Sequence, residues 1–450
     1  GPYSVEAGDF SAAGSVNFKT VDRLDRPFAR VDVGEFGFYR AVGAGSFAAM
    51  GGDILVGVDG TLSNGVWELD ENLEKISGLV KFTKGGDDHG FAVSLSGYDA
   101  SWRSTDQVPE RAVESGLIGR FGFIDPSLFN STTRVGLTAN AFFGDTQLNA
   151  YATYYRLKLT SNFTYFLDDP VNGDQFRQRD RRGVYGGSVR HSLPARLGEM
   201  PLALRLGPEG RYDAIANVAL LRSVAGRETE VVRQDSVDQY SGAIFAEGEL
   251  SLSPRLRAIL GVRYDVIGYD VDAGLAANSG SGSDDIFAPK AALAWRPLDG
   301  LELYANYGHS FHSNDVRGAS IRVDPVTGEP AEQVDVIARA EGFELGARLE
   351  QATFNVALAA FYLKLDSELV FVGDAGTTEP NDATYAAELN RFIRDYIGNG
   401  ELHIYDSDTR ELISRVEAFL PTNYWADNEA LDERIARWKK EAEVRAAKAS

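Results

Sequence analysis

Hydrophobic and polar residues alternate with a period of two along most of the chain, the pattern of strands with two unlike faces. In 255–266, Leu256, Ala258, Leu260, Val262, Tyr264 and Val266 fall on one face, opposite Arg257, Ile259, Gly261, Arg263 and Asp265. Residues 239–252 set Tyr240, Gly242, Ile244, Ala246, Gly248, Leu250 and Leu252 against Gln239, Ser241, Glu247 and Glu249. Similar splits occur at 300–312, with Leu301, Leu303, Ala305, Tyr307 and Phe311 on one face, and at 90–98, with Phe91, Val93 and Leu95. These strands are longer than the usual five or six residues or so of soluble sheets. About 9–11 tilted residues cross a bilayer. The charges in mid-strand suit a wet lumen, so Leu256, Leu260, Val262 and Tyr264 are expected to face lipid. Arg257, Arg263 and Asp265 are then expected to face inward, where Arg263→Leu should change only the chemistry of the lumen.

About fifteen strands are expected between Phe28 and Asp366, in sequence order as an antiparallel meander. Short connections fall at Met50-Gly51-Gly52, Lys84–Gly90, Gly144-Asp145, Leu193–Pro201, Ser253-Pro254, Pro297–Gly300 and Glu350–Ala352. Between them lie long ones near 64–74, 105–131, 161–182, 213–235, 272–284 and 313–340. Tight turns on one rim and large loops on the other define an outer-membrane barrel. Gly34–Gly37 is short where a long connection is due, and no fixed repeat of a solenoid is present.

Composition narrows the classes further. The net charge is −21, which argues against a nucleic-acid partner. There is no cysteine, which removes disulfide scaffolds, Cys-ligated metals and thiol catalysis. No run of about 18 apolar residues exists for a spanning helix, whereas a strand-built barrel hides its apolar face in the alternation. The chain opens Gly1-Pro2-Tyr3 without Met or a leader, which reads as a processed protein or a fragment.

The segment GPYSVEAGDFSAAGSVNFKT at 1–20 resembles the end of the plug domain of TonB-dependent receptors. SNFTYFLDDPVNGDQFRQRDRR at 161–182, YANYGHSFHSNDVRG at 304–318 and DSELVFVGDAGTTEP at 366–380 resemble loops and strand ends of the same family. The resemblance covers residues 1–380 and implies an all-β, antiparallel up-and-down transmembrane β-barrel of about 22 strands around a plug. It also implies residence in the Gram-negative outer membrane, contact with its lipid, and TonB-driven uptake of a small ligand or metal chelate such as a ferric siderophore. Against that pattern the barrel is partial, about 15 of 22 strands. Residues 1–20 are only the end of a plug, and the TonB box that contacts TonB is absent. A terminal aromatic strand is lacking at Ala449-Ser450. With an odd strand count the first and last strands run the same way. The chain is therefore expected to be a poorly closed, non-functional fragment.

Residues 381–450 read as an unrelated α+β tail after the barrel at 21–380. Leu389, Phe392, Ile393, Tyr396 and Ile397 have the spacing of an amphipathic helix. Glu401–Tyr405 and Arg410–Val416 suggest a hairpin, and Asp427 or Asn428 can cap a helix bearing Leu431, Ile435 and Trp438. The tail reads either as a fusion artefact or as a genuine domain.

No catalytic constellation is present, no cofactor is implied, and the chain is not read as an enzyme. Candidate ligand-binding residues are Phe163, Tyr165, Phe166, Arg177, Arg179, Arg181, His312, Asn314 and Arg317. The loop around Phe163 also holds Asp168, Asp169 and Arg182, so it can either grip an anion through arginine forks or pair with itself. His309, His312 and Asp315 can make a metal site only if three-residue spacing on a strand did not split the histidines between faces. Polar packing is the alternative, and no metal is assigned. Asp87-Asp88 and Asp284-Asp285 are solvated turn carboxylates or weak calcium ligands. Two other functions fit the alternation, a passive porin-like channel and a soluble secreted β-protein with a C-terminal interaction domain. Plug-like text at 1–20 speaks against the first, and strand length with mid-strand charge against the second.

Overall fold

The structure, a computed structural model, describes residues 2–11, 14–15, 18–166, 169–351 and 355–366, and beyond them the strands Glu368–Val372, Thr377–Asn381, Glu401–Tyr405 and Leu412–Glu417. The chain divides into two compact units, Gly1–Glu379 and Pro380–Ser450.

In the first unit the period-two segments form β1 (Phe28–Val33), β2 (Tyr39–Ala49), β3 (Gly52–Ser63), β4 (Leu73–Gly85) and β5 (His89–Arg103). Next come β6 (Phe129–Phe143), β7 (Thr146–Ser161), β8 (Phe176–Leu197), β9 (Met200–Val224) and β10 (Arg227–Ser253). The last five are β11 (Leu256–Ala273), β12 (Gly280–Leu298), β13 (Leu301–Ser313), β14 (Ile337–Glu350) and β15 (Asn355–Leu365). All join one 15-stranded sheet in sequence order, with β1 and β15 as its two edges. The up-and-down antiparallel meander is therefore present as expected, and the sheet is not closed, as in a partial barrel.

Three connections differ from the sequence reading. The one expected at 272–284 shrinks to 274–279, because β11 runs to Ala273 and β12 begins at Gly280, so Asp284 and Asp285 stand on a strand and not in a turn. Residues 213–235 are no loop: β9 and β10, of 25 and 27 residues, meet at the tight turn Ala225-Gly226. Ala225 and Gly226 both have positive φ, 48° and 76°, as a two-residue hairpin turn of the right twist requires. The 161–182 loop is shorter than expected because β8 already begins at Phe176. Above the lipid both faces of a strand meet water, so the apolar alternation that marks a strand disappears while its ladder continues.

The two faces separate as the alternation predicts. Leu260, Val262 and Tyr264 are exposed on the outer face, at 69%, 42% and 39%, whereas Arg263 and Asp265 are buried inside at 3% and 4%. Tyr185, Tyr212 and Tyr240 stand directly opposite one another on β8, β9 and β10, forming an outward aromatic row. Tyr154 on β7 continues it, and Tyr264 with Phe287 on β11 and β12 extends it further. Aromatic girdles of this kind mark the membrane interface.

The wall forks between β12 and β13. Their ladder ends at Lys290↔Gly308, and β12 continues paired to β11 alone. Residue 289 is proline, which has no N–H to carry the ladder on. Beyond the fork, Phe311 and Ile337 from β13 and β14 pack with Ile267, Tyr269, Val271 and Ile286 of β11 and β12. Val316 and Val336 from the 314–336 connection complete this apolar cluster. The upper ends of β13 and β14 thus meet the inner surface of β11 and β12.

Residues 2–11 lie against the inner wall. Val5 is buried over Gly261, where any Cβ would collide with it. Lys290 Nζ donates to the Pro2 carbonyl at 2.8 Å, and Arg263 Nη1 to the Val5 carbonyl at 3.2 Å. Glu6 pairs with Arg190 at 2.7 Å, and Ser11 Oγ is 2.8 Å from Ser310 Oγ. Further on, Lys81 binds the Thr20 carbonyl at 3.0 Å and the Asp22 carboxylate at 2.7 Å.

Beyond the sheet, β16 (Glu368–Val372) pairs with β17 (Thr377–Asn381), and in the second unit β18 (Glu401–Tyr405) pairs antiparallel with β19 (Leu412–Glu417). The helices expected at 389–397 and from 427 lie outside the described residues.

Candidate functional site

The rim with the long connections carries the candidate residues, and strand alternation divides them between two faces. His312 faces inward, its ring 5.8 Å from Phe10 of the docked segment. His309 lies on the other face, with Nε2 2.8 Å from Tyr307 Oη. The pair is split as three-residue spacing on a strand requires. Among the described residues no group of three metal-ligating side chains exists.

Asn314 and Arg317 follow at the strand end. Asn314 donates through Nδ2 to the Asp335 carbonyl at 2.8 Å, and its buried Oδ1 has no protein partner. Arg317 sits in the short helix α1 (Val316–Ser320), whose N-cap Asp315 accepts its backbone N–H at 3.0 Å. The same carboxylate accepts Arg317 Nε at 3.0 Å. Burial pushes the Asp315 carboxyl up, but Arg317 outweighs it and holds it below the usual carboxylate range. Arg317 also lies 3.8 Å from Asp235, which accepts Arg233 Nε at 2.5 Å.

That contact belongs to a pattern the sequence reading missed. Arg211-Tyr-Asp213, Arg233-Gln-Asp235 and Arg263-Tyr-Asp265 each place an arginine and an aspartate two residues apart. On a strand that spacing puts both on one face. Each pair closes, with Arg211 Nε to Asp213 at 2.6 Å and Arg263 Nε to Asp265 at 2.9 Å. Asp180 and Arg182 form a fourth pair in reverse order. The inner wall is therefore lined by dipolar pairs rather than by a field of one sign. The i, i+2 repeat of Arg and Asp was the signal available in the sequence.

The aromatic loop between β7 and β8 is packed on its neighbours. Tyr165 is buried at φ 61°, with Oη donating to the Gln107 carbonyl at 2.7 Å. Burial, then the nearby Asp106 and Asp125 carboxylates, push its phenol up to about 12. Phe163 meets Phe176 with ring centres 5.8 Å apart, and Phe166 alone of the three aromatics is exposed. Asp125 gathers this region: it accepts Asn162 Nδ2 at 2.9 Å, Gln175 Nε2 at 2.7 Å and Ser127 Oγ at 2.6 Å. Burial raises its carboxyl, but these hydrogen bonds outweigh that and hold it below its ordinary value. Asp168 lies outside the described residues.

Arg177, Arg179 and Arg181 are not in that loop. They alternate along β8 on the same face as Tyr185. Arg177 donates to Glu228 at 2.9 Å and to the Gly226 carbonyl at 2.9 Å, and Arg179 also binds Glu228. The structure therefore brings His312, Asn314 and Arg317 together at one strand end and sets the β8 arginines apart from them.

Long antiparallel strands with an apolar outer face, an aromatic row, charge-paired inner wall and an internally docked segment define an outer-membrane β-barrel protein. The chain belongs to the family described as TonB dependent receptor-like, beta-barrel, whose model matches residues 70–405. That family places it in the Gram-negative outer membrane, and its members are receptors and transporters. Among solved structures it is similar to the ferric citrate transporter FecA in unliganded form, at 14% identity and TM-score 0.60, covering 75% of this chain and 50% of that one. It is also similar to Fiu, the ferric-catecholate import receptor of E. coli K12, at 11% identity and TM-score 0.61, covering 77% and 61%. BauA, the ferric preacinetobactin receptor of Acinetobacter baumannii, matches at 12% identity and TM-score 0.59, covering 80% and 58%. These likenesses show the fold, and the chain spans only half to three fifths of the length of those proteins. No curated protein sequence matches the chain.

Proposed function

We propose that this chain is wall and terminal plug segment of a receptor that captures a scarce small ligand or metal chelate, such as a ferric siderophore, for TonB-driven uptake. The observation that carries the reading is the docking of residues 2–11 on the inner wall through Lys290, Arg263 and Ser313. A porin-like channel has no use for a segment that docks on its inner wall and consumes its wall charges. On this reading residues 1–20 end the plug, 21–380 form the wall, and 381–450 are a separate tail. Ligand contact belongs to His312, Asn314 and Arg317 on the inner side of the mouth, and Phe166 is the exposed aromatic of the β7–β8 loop. The test is equilibrium binding of ferric citrate and of a ferric catecholate to the purified protein in detergent, followed by bilayer conductance. Saturable binding weakened by Arg317→Ala supports the reading. A large, steady open conductance with no saturable binding of either chelate would replace it with the channel.

A further inference from the structure

The β8 arginines pose a separate problem. Arg156 on β7 stands directly opposite Arg181 on β8, and Lys158 directly opposite Arg179. Two stacked cross-strand pairs on one face are thus both cation against cation, an arrangement that destabilises a sheet. Glu228 answers Arg179 together with Arg177. Among the described residues no ion pair answers Arg156, Lys158 or Arg181. Asp99, in the same cross-strand row two strands from Arg156, accepts a hydrogen bond from Thr133 between them. Arg179 Nε is buried without an acceptor.

The height of this patch names the missing anion. Tyr154 lies two residues below Arg156 on the same face, and Tyr185 begins the aromatic row on β8. The cations therefore stand just outside the apolar band, on the side of the long connections, at headgroup level in the outer leaflet. Nearer the other rim the same outer face holds an apolar trough of about 620 Å³ lined by Ala139, Ala141, Leu148, Ala150, Gly187 and Gly210. Along β7 the trough begins about 20 Å of strand below Arg156.

We infer that Arg156, Lys158, Arg179 and Arg181 form a binding site for the phosphate groups of the phosphorylated glycolipid of the outer leaflet, whose acyl chains run down toward the trough. Guanidinium forks match phosphate oxygens, and the anion relieves both like-charge pairs at once.

The test uses the full chain in detergent and native mass spectrometry with three probes: diphosphoryl lipid A, the same lipid without phosphates, and phosphatidylglycerol. Diphosphoryl lipid A is expected to be retained, and the double variant Arg156→Gln/Arg181→Gln to retain it about tenfold less or weaker still. Arg255→Gln, a cation removed at the short-turn rim, should change nothing. A second measurement guards against misfolding. Lipid A should raise the temperature of heat modification of the native chain, whereas Arg181→Glu should raise it without lipid and abolish the response. Equal retention of the dephosphorylated lipid, phosphatidylglycerol retained as well as lipid A, or an undiminished response in Arg181→Glu would each overturn the assignment.

Discussion

Lys290 Nζ donates a 2.7 Å hydrogen bond to the backbone carbonyl of His309, one residue past the last cross-strand pair of β12 and β13. The ammonium thus supplies a donor where Pro289 ends the ladder, and the same nitrogen holds the Pro2 carbonyl. Fork and docked segment share one side chain.

Removing that donor should loosen both. Lys290→Met keeps most of the side-chain length but takes the Nζ donor from two carbonyls, at a cost of about 1–3 kcal/mol for each that is left buried without another donor. The heat-modification temperature should fall, and a protease should cut within residues 2–11 faster than in the native chain. Unchanged cleavage would show that the segment is held elsewhere.

Steric exclusion offers a second handle on the same segment. A Cβ at Gly308 would sit 2.3 Å from the Pro2 carbonyl oxygen, and one at Gly342 2.5 Å from the Pro2 ring. Gly342→Val should displace the segment while leaving β13 and β14 paired. Amide exchange should speed up at 2–11 and stay slow at 301–313; equal protection of 2–11 in both proteins would refute the docking.

The two faces of β11 should respond to mutation for different reasons. Leu260→Arg places a charge in lipid at about 2–4 kcal/mol and should block assembly. The sequence suggested that Arg263→Leu would be mild, but Arg263 is what neutralises the buried Asp265. Losing one partner of a buried pair costs about 3–5 kcal/mol. Arg263→Leu/Asp265→Leu should recover most of that loss, as read by urea midpoints. Failure of the double variant to recover would put the cost in the Val5 and Glu209 contacts instead.

Acid should open the loop cluster before the wall. The Asp125 carboxyl is held below its unfolded value, so its contribution to stability is full above the ordinary carboxylate pKa. It is lost as pH falls through the depressed folded pKa. Proteolysis at 104–128 and 162–175 should therefore rise in acid and be flat through neutrality. Asp125→Asn should be open at every pH, and an acid-insensitive native loop would contradict the role of Asp125.

Much of the wall was legible because lipid imposes strict alternation: the strand count, the tight turns and the outward face of Leu260 all follow from it. The β9–β10 hairpin was not, because Arg222, Arg227, Glu228, Glu230 and Arg233 lie where neither face needs to be apolar. For the same reason Arg177 and Arg179 read as loop residues, and the side they face depends on register rather than composition. The inner Arg–Asp pairs were visible in the spacing but passed as isolated charges. Docking of residues 2–11 was beyond reach, since it joins residues some 300 positions apart such as Ser11 and Ser310.

Tyr154, Tyr185, Tyr212 and Tyr240 act as a waterline. Each ring has a hydrocarbon side and a hydroxyl that needs a polar partner, so a shift of one residue along the strands drowns the hydroxyls or strands the rings. A wall with such a mark floats at one depth and resists tilting on that side. Everything anchored to it inherits the altitude, so the mouth residues His312 and Arg317 keep a fixed distance from the cell surface however the surrounding bilayer thickens or thins.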